Sequence, residues 1–175
     1  MKQSDLRGEL ERLHPASFGW ALWCCDHRRD EAEEVLQTAY LKVMEKAASF
    51  NENSSLRTWF FGVIRRTAAE RRRRRWVREH LLDRWWTREP AVISAPDPET
   101  SASCSESSRA LLQVLGGLPK RQREVLHLVF YQDLTVEEAA RVLKISLGTA
   151  RTHFERGKGK LRTILTREEG QHAGR

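Results

Sequence analysis

No apolar run in the sequence approaches the roughly 20 residues that span a bilayer. Its start, Met1-Lys2-Gln3-Ser4-Asp5, does not lead into the apolar core of a signal peptide. No membrane insertion and a cytoplasmic location are therefore expected. Cysteine is scarce and odd in number, with Cys24 and Cys25 adjacent and Cys104 in a Ser-rich stretch, which argues against a disulfide framework. Cys24 and Cys25, with His14 and His27 nearby, lack the paired C-x-x-C or H-x-x-H spacing that sets four ligands tetrahedrally, so no metal is expected. They read instead as small, soft side chains buried in a helix beside Trp20 and Trp23. The six histidines (14, 27, 80, 127, 153 and 172) are scattered and pair with no nucleophile, acid or ligand set. Neither catalytic residues nor a cofactor is expected. Strand-like alternation and internal repeats are both missing.

What is present is positive charge, large aromatics and helical periodicity. The 175 residues suffice for one or two small domains. Lys and Arg total 31 against 24 Asp and Glu, a formal charge of +7 that favours a polyanionic partner, nucleic acid first. Six Trp and six Phe supply the apolar area for one or two modest cores. Composition shifts near residues 89–108, where Pro90, Pro96 and Pro98 sit among serines; proline removes amide donors and serine competes for backbone hydrogen bonds, so this stretch is a linker. On either side, apolar residues recur three and four apart. The expected fold is all-α: two small helical domains, 1–88 and 109–166, joined by a flexible linker, with a frayed polar tail at 167–175.

Charge is unevenly spread within the first domain. Residues 30–52 hold Asp30, Glu31, Glu33, Glu34, Glu45 and Glu52 against Lys42 and Lys46, a balance of −4, and residues 65–89 hold ten Arg against four acids, a balance of +6. The two faces are expected to want different partners. From Asp30 one helix is predicted, with Val35, Leu36, Ala39, Tyr40, Val43, Met44 and Ala47 on a single inward stripe. Leu41 points almost opposite, among Glu34, Gln37, Thr38 and Glu45. This is either a solvated charged face with one stray Leu or an acid-rimmed docking patch for a basic helical partner.

After the polar break Phe50-Asn51-Glu52-Asn53-Ser54-Ser55, a helix capped by Ser54 or Ser55 resumes with Leu56, Trp59, Phe60, Val63 and Ile64. It runs into Arg65-Arg66 and then Arg71 to Arg75. Five consecutive arginines form either a solvated, self-repelling helix end or a phosphate-binding footprint, and the adjoining aromatics favour the latter. A polar loop beside aromatics and arginines can also hold an unstacked base.

The second domain carries a helix-turn-helix pattern. Pro119 is placed at a first helical turn, with Val125, Leu126, Val129 and Phe130 inward. A second helix starts at Thr135, with Glu138 completing a capping box and Ala139, Val142 and Leu143 inward. After the turn Lys144-Ile145-Ser146, a third helix opens at Ser146 or Gly148; Ala150, Phe154, Gly157 and Leu161 share its inner face, and Gly157 reads as close helix packing. Its outer face presents Thr149, Arg151, Thr152, Glu155, Arg156, Gly159 and Lys160. Small, polar and basic residues on the third helix of such a motif suit the major groove, with Thr152 and Glu155 toward base edges and Arg151, Arg156 and Lys160 toward phosphates or guanine.

Taken together, the two domains resemble a bacterial RNA polymerase sigma factor of the extracytoplasmic-function (ECF) type. The residues that carry the resemblance are EAEEVLQTAYLKV (31–43), SLRTWFFGVIRRTAAERRRRR (55–75) and, most closely, LPKRQREVLHLVFYQDLTVEEAARVLKISLGTARTHFERGKGKL (118–161). The resemblance implies that Glu33, Glu34, Gln37, Thr38 and Leu41 bind the core polymerase on the β′ clamp coiled coil. It further implies that Phe50, Asn51, Asn53, Ser54, Ser55, Arg57 and Trp59 capture a flipped base of the minus-10 element, and that Arg65 and Arg66 hold the adjoining DNA. Ser146, Gly148, Thr149, Arg151, Thr152, Glu155, Arg156 and Lys160 would read the minus-35 element. The partners it implies are core RNA polymerase, through the β′ clamp and the β flap, promoter DNA, and an anti-sigma factor. Against the family pattern, Arg66 stands for Asn, Glu70 for Asp, Thr38 for a frequent Glu, and Gly157 and Gly159 for residues more often Ala and Arg or Lys. The other function considered is that of an autonomous helix-turn-helix regulator, which would bind DNA without polymerase.

Overall fold

The computed structural model describes residues 3–83 and 117–172, with side chains over 5–81 and 117–163; the expected linker and Cys104 lie outside the described residues. The chain divides between Asp97 and Pro98 into two compact units. All seven described helices belong to one or the other, and the described residues contain no strand, so the fold is all-α. None of the described helices is long and apolar enough to cross a membrane.

The N-terminal unit contains α1 (Gln3–Arg12), α2 (His14–Cys24), α3 (Arg29–Met44) and α4 (Leu56–Asp83). Asp26 and His27 adopt left-handed φ angles of 53° and 64°, which reverse the chain between α2 and α3. Trp20, Ala21, Ala32, Ala39, Phe60, Phe61 and Ile64 are fully buried. The small residues let the helices approach around the large rings. The Trp20 indole also donates a buried hydrogen bond to the Phe61 carbonyl at 3.0 Å, tying α2 to α4. The predicted stripe of α3 holds for Val35, Leu36, Ala39 and Val43 but stops short of Ala47, which is exposed. Lys46 turns left-handed at φ 58°, the Ala48 amide closes on the Lys42 carbonyl at 2.9 Å, and the helix ends at Met44.

The C-terminal unit contains α5 (Lys120–Phe130), α6 (Val136–Leu143) and α7 (Leu147–His172). Pro119 lies one residue before the helix, at the N-cap rather than in the first turn. Thr135 and Glu138 form both hydrogen bonds of the capping box, and Lys144, at φ 53°, makes the sharp turn into α7. Ser146 caps α7: its hydroxyl accepts the Thr149 amide at 3.1 Å. The interior is Val125, Leu126, Leu128, Leu134, Ala139, Val142, Leu143 and Ala150. Gly157 is buried among them, and a Cβ there would meet Leu126 Cδ1 at 2.8 Å, which accounts for the glycine by close packing.

Two expectations for this unit are corrected. Phe130 is not inward; it is 59% exposed, its ring 5.6 Å from that of Phe154, because one further residue turns it about 100° away from Val129. Leu128 fills the core instead. The tail expected from Arg167 is helical through His172. No proline interrupts it, and an internal glycine costs a helix only about 1 kcal/mol.

Candidate functional site

The acidic helix comes first. On α3, Leu41 is 57% exposed, and Glu33, Glu34, Gln37 and Thr38 are exposed around it. Thr38 donates its hydroxyl hydrogen to the Glu34 carbonyl at 2.8 Å, and Arg29 Nε reaches Glu33 at 3.0 Å. Glu34 itself is taken by Arg71 of α4, and Glu31 by Arg75 of α4 and by Arg28. Further along, Lys42 Nζ meets Glu70 at 2.6 Å. The acidic helix and the arginine block are thus not two independent faces; part of each neutralises the other. Of the arginine run, Arg71 and Arg75 are engaged in this way, while Arg72, Arg73 and Arg74 are exposed. Such half-exposed pairs are worth at most about 1 kcal/mol and leave their charges exchangeable.

The loop after α3 rests on a line of rings. Phe50 lies 5.3 Å from Trp59, Trp59 6.3 Å from Phe60, Phe60 5.1 Å from Tyr40, and Tyr40 6.1 Å from His14. The His14 Nδ1 and Tyr40 hydroxyl are hydrogen-bonded at 3.1 Å, and burial raises the Tyr40 pKa. Above this floor Asn51, Glu52 and Asn53 are exposed, with Glu52 in a left-handed turn at φ 59°. Ser54 is half-buried, and Ser55 caps α4 by accepting the Thr58 amide at 3.2 Å. The Arg57 guanidinium lies 5.5 Å from the Phe61 ring centre; Arg65 is half-buried and Arg66 exposed. Polar edges over aromatic faces can accept a flat, unstacked base. The contribution of Tyr40 and His14 was not read from the sequence, where Tyr40 showed only as a core position.

At the cap of α7 and along its outer face, Ser146, Gly148, Thr149, Arg151, Thr152, Glu155, Arg156, Gly159 and Lys160 are all exposed. Among the described residues no ion pair engages Arg151, Arg156 or Lys160. Three hydroxyls also serve the helix: Ser146 and Thr149 share a hydrogen bond of 2.8 Å, and Thr152 donates to the Gly148 carbonyl at 3.0 Å. The oxygen of Thr152 keeps acceptor capacity toward a base edge.

The cysteines stand apart from these surfaces. Cys25 is buried, and burial, with Glu31 nearby, pushes its thiol up to about 11, so it is protonated at neutral pH. Burial lowers the His27 pKa, and among the described residues no three His, Cys, Asp or Glu side chains gather where they could hold a metal ion.

The family model of sigma-70 region 2 matches residues 10–78 and that of sigma-70 region 4 matches residues 108–161, together well over half the chain. The chain belongs to the sigma-70 family. This sigma factor is of the ECF type. It is 27% identical over 167 residues to the RNA polymerase sigma factor YlaC of Bacillus subtilis, covering 95% of this chain and 96% of that one. It is 29% identical over 161 residues to the ECF sigma factor EcfG of Rhodopseudomonas palustris, covering 92% and 85%. Among solved structures, it superposes on the sigma factor RpoE of Bartonella quintana, in complex with the anti-sigma factor NepR, with a TM-score of 0.68 and 25% identity over 93% of this chain and 97% of that one. As a sigma factor it supports promoter-specific transcription initiation with RNA polymerase, and the family as a whole consists of non-enzymatic initiation factors.

Proposed function

We propose that the two units divide promoter recognition between them. In the N-terminal unit Leu41, rimmed by Glu33, Glu34, Gln37 and Thr38, docks on the β′ clamp of core RNA polymerase. The loop from Phe50 to Arg57 then captures a flipped base of the minus-10 element, with Trp59 beneath it and Arg65 and Arg66 on the adjoining strand. Extruding a base costs a few kcal/mol, and stacking on an aromatic returns about 1–3 kcal/mol, so opening is favoured where the loop fits the base. In the C-terminal unit, which also meets the β flap, the outer face of α7 reads the minus-35 element: Ser146, Gly148 and Thr149 lie at the helix entry, Thr152 and Glu155 face base edges, and Arg151, Arg156 and Lys160 face phosphates or guanine. An anti-sigma factor of the kind bound to the similar RpoE would hold the protein inactive.

The observation that carries this reading is the exposed Leu41 patch and the aromatic-floored loop standing on one compact helical unit. Run-off transcription with purified core polymerase on a candidate promoter tests it. Glu34→Lys combined with Leu41→Asp is expected to abolish specific initiation. Arg71→Ala, which also frees Glu34 from its ion pair but leaves the α3 surface intact, is expected to retain it. No initiation from any promoter, together with tight specific DNA binding by the chain alone, would replace the sigma-factor mechanism with that of an autonomous helix-turn-helix regulator.

A further inference from the structure

The distal part of α4 carries chemistry that none of these contacts uses. Pairing of Arg75 with Glu31, in the first turn of α3, brings the start of α3 level with Arg75, and α4 continues beyond it to Asp83. On this extension Trp76 is 56% exposed. Its ring is backed by that of His80, with centres 4.0 Å apart, and the imidazole is held by a 2.9 Å hydrogen bond from its Nδ1 to the Trp76 carbonyl. An indole supported in this way is a rigid flat surface rather than a loose side chain.

The geometry also sorts the arginine block. Arg71 and Arg75 pair with acids of α3. Arg66, Arg72 and Arg73 are exposed, and no ion pair with a described residue neutralises them. Arg72 and Arg73 precede Trp76 by four and three residues, which makes them its neighbours on the helix surface, and Arg66, Arg73 and His80 follow one line at seven-residue spacing. An exposed aromatic plane set among exposed guanidinium groups is complementary to a polyanion bearing flat, apolar faces. In duplex DNA those faces are stacked on one another, while in a single strand they are open.

We propose that this face is a second binding surface for single-stranded DNA. Trp76 stacks on a base, and Arg72 and Arg73 hold neighbouring phosphates. The 21 residues from Ser55 to Trp76 place it about 30 Å along α4 from the loop, so it is a separate contact and does not depend on the base-capture reading or on polymerase docking.

Fluorescence anisotropy of the full chain with a labelled oligothymidylate of about 12 nucleotides, and with a duplex of equal length, tests the assignment. Trp76→Ala is expected to raise the single-strand Kd by about tenfold with little change for the duplex, and Trp76→Phe to restore most of the affinity. Arg72→Ser combined with Arg73→Ser is expected to weaken both and to lower the slope of log affinity against log salt by about one to two. Unchanged single-strand affinity in Trp76→Ala, or an equal loss for single strand and duplex, would overturn the proposal. Unchanged affinity with a lowered Tm would place Trp76 against another segment of this chain and overturn it as well.

Discussion

In the N-terminal unit the interior is aromatic, with Trp20, Phe60 and Phe61 buried among alanines, whereas in the C-terminal unit it is aliphatic and tight, with Val125, Leu126, Leu128, Val142 and Leu143 closing on Gly157. The helices differ in the same sense. The 28-residue α4 is carried by its buried rings and by ion pairs to α3. The eight-residue α6 is far shorter than an isolated helix needs, so its capping box and the left-handed Lys144 determine where it begins and ends. The difference teaches how each unit presents its working face. Large rings and long, exchangeable charged side chains hold the α3 and α4 surfaces. The outer side of α7, by contrast, is positioned by a backbone pressed onto Leu126, where a single added methyl group matters.

The comparison can be broken unit by unit with hydrogen exchange read by mass spectrometry. The largest effect is expected from Trp20→Ala, which removes the central ring and its bond to Phe61. It should lower protection across α2 to α4 by an amount equivalent to about 3–5 kcal/mol while α5 to α7 stay as they were, and an equal loss in both units would end the claim of two separate interiors. Gly157→Val is expected next. Overpacking against Leu126 should cost the C-terminal unit about 1–3 kcal/mol, whereas Gly159→Ala, with nothing within 4 Å, should stabilise it by up to about 1 kcal/mol. If both glycine variants behave alike, α7 has the same slack as α4. The smallest effect is that of Thr135→Ala, which removes the cap of α6 and should cost about 1 kcal/mol, read as a lower chemical-denaturation midpoint of the C-terminal unit.

Much of this was legible from neighbouring residues. Periodicity placed Val35, Leu36, Ala39 and Val43 inside and Leu41 outside, the Thr135–Glu138 spacing announced the capping box, and the wheel of α7 separated Gly157 from Arg151 and Arg156. Each of these depends on residues within a turn or two of each other, where helix geometry is known in advance. Phe130 departs from its expected inward position because one residue near a helix end decides between core and solvent. The pairing of Arg75 with Glu31, 44 residues away, and the contact of His14 with Tyr40, 26 residues away, left no local mark.

The amino-acid sequence by itself determined that the chain is helical on both sides of the linker, where the α6 cap and the Lys144 turn fall, and the inward stripe of α3, because these follow from bonded neighbours and helical repeat. Only the tertiary structure decided which charges are already engaged, which aromatic rings floor the loop, and that Trp76 stands clear of α3 beside arginines that no described residue neutralises. Coulombic pairing and stacking act through space, and the distances that govern them come into being only when the helices pack.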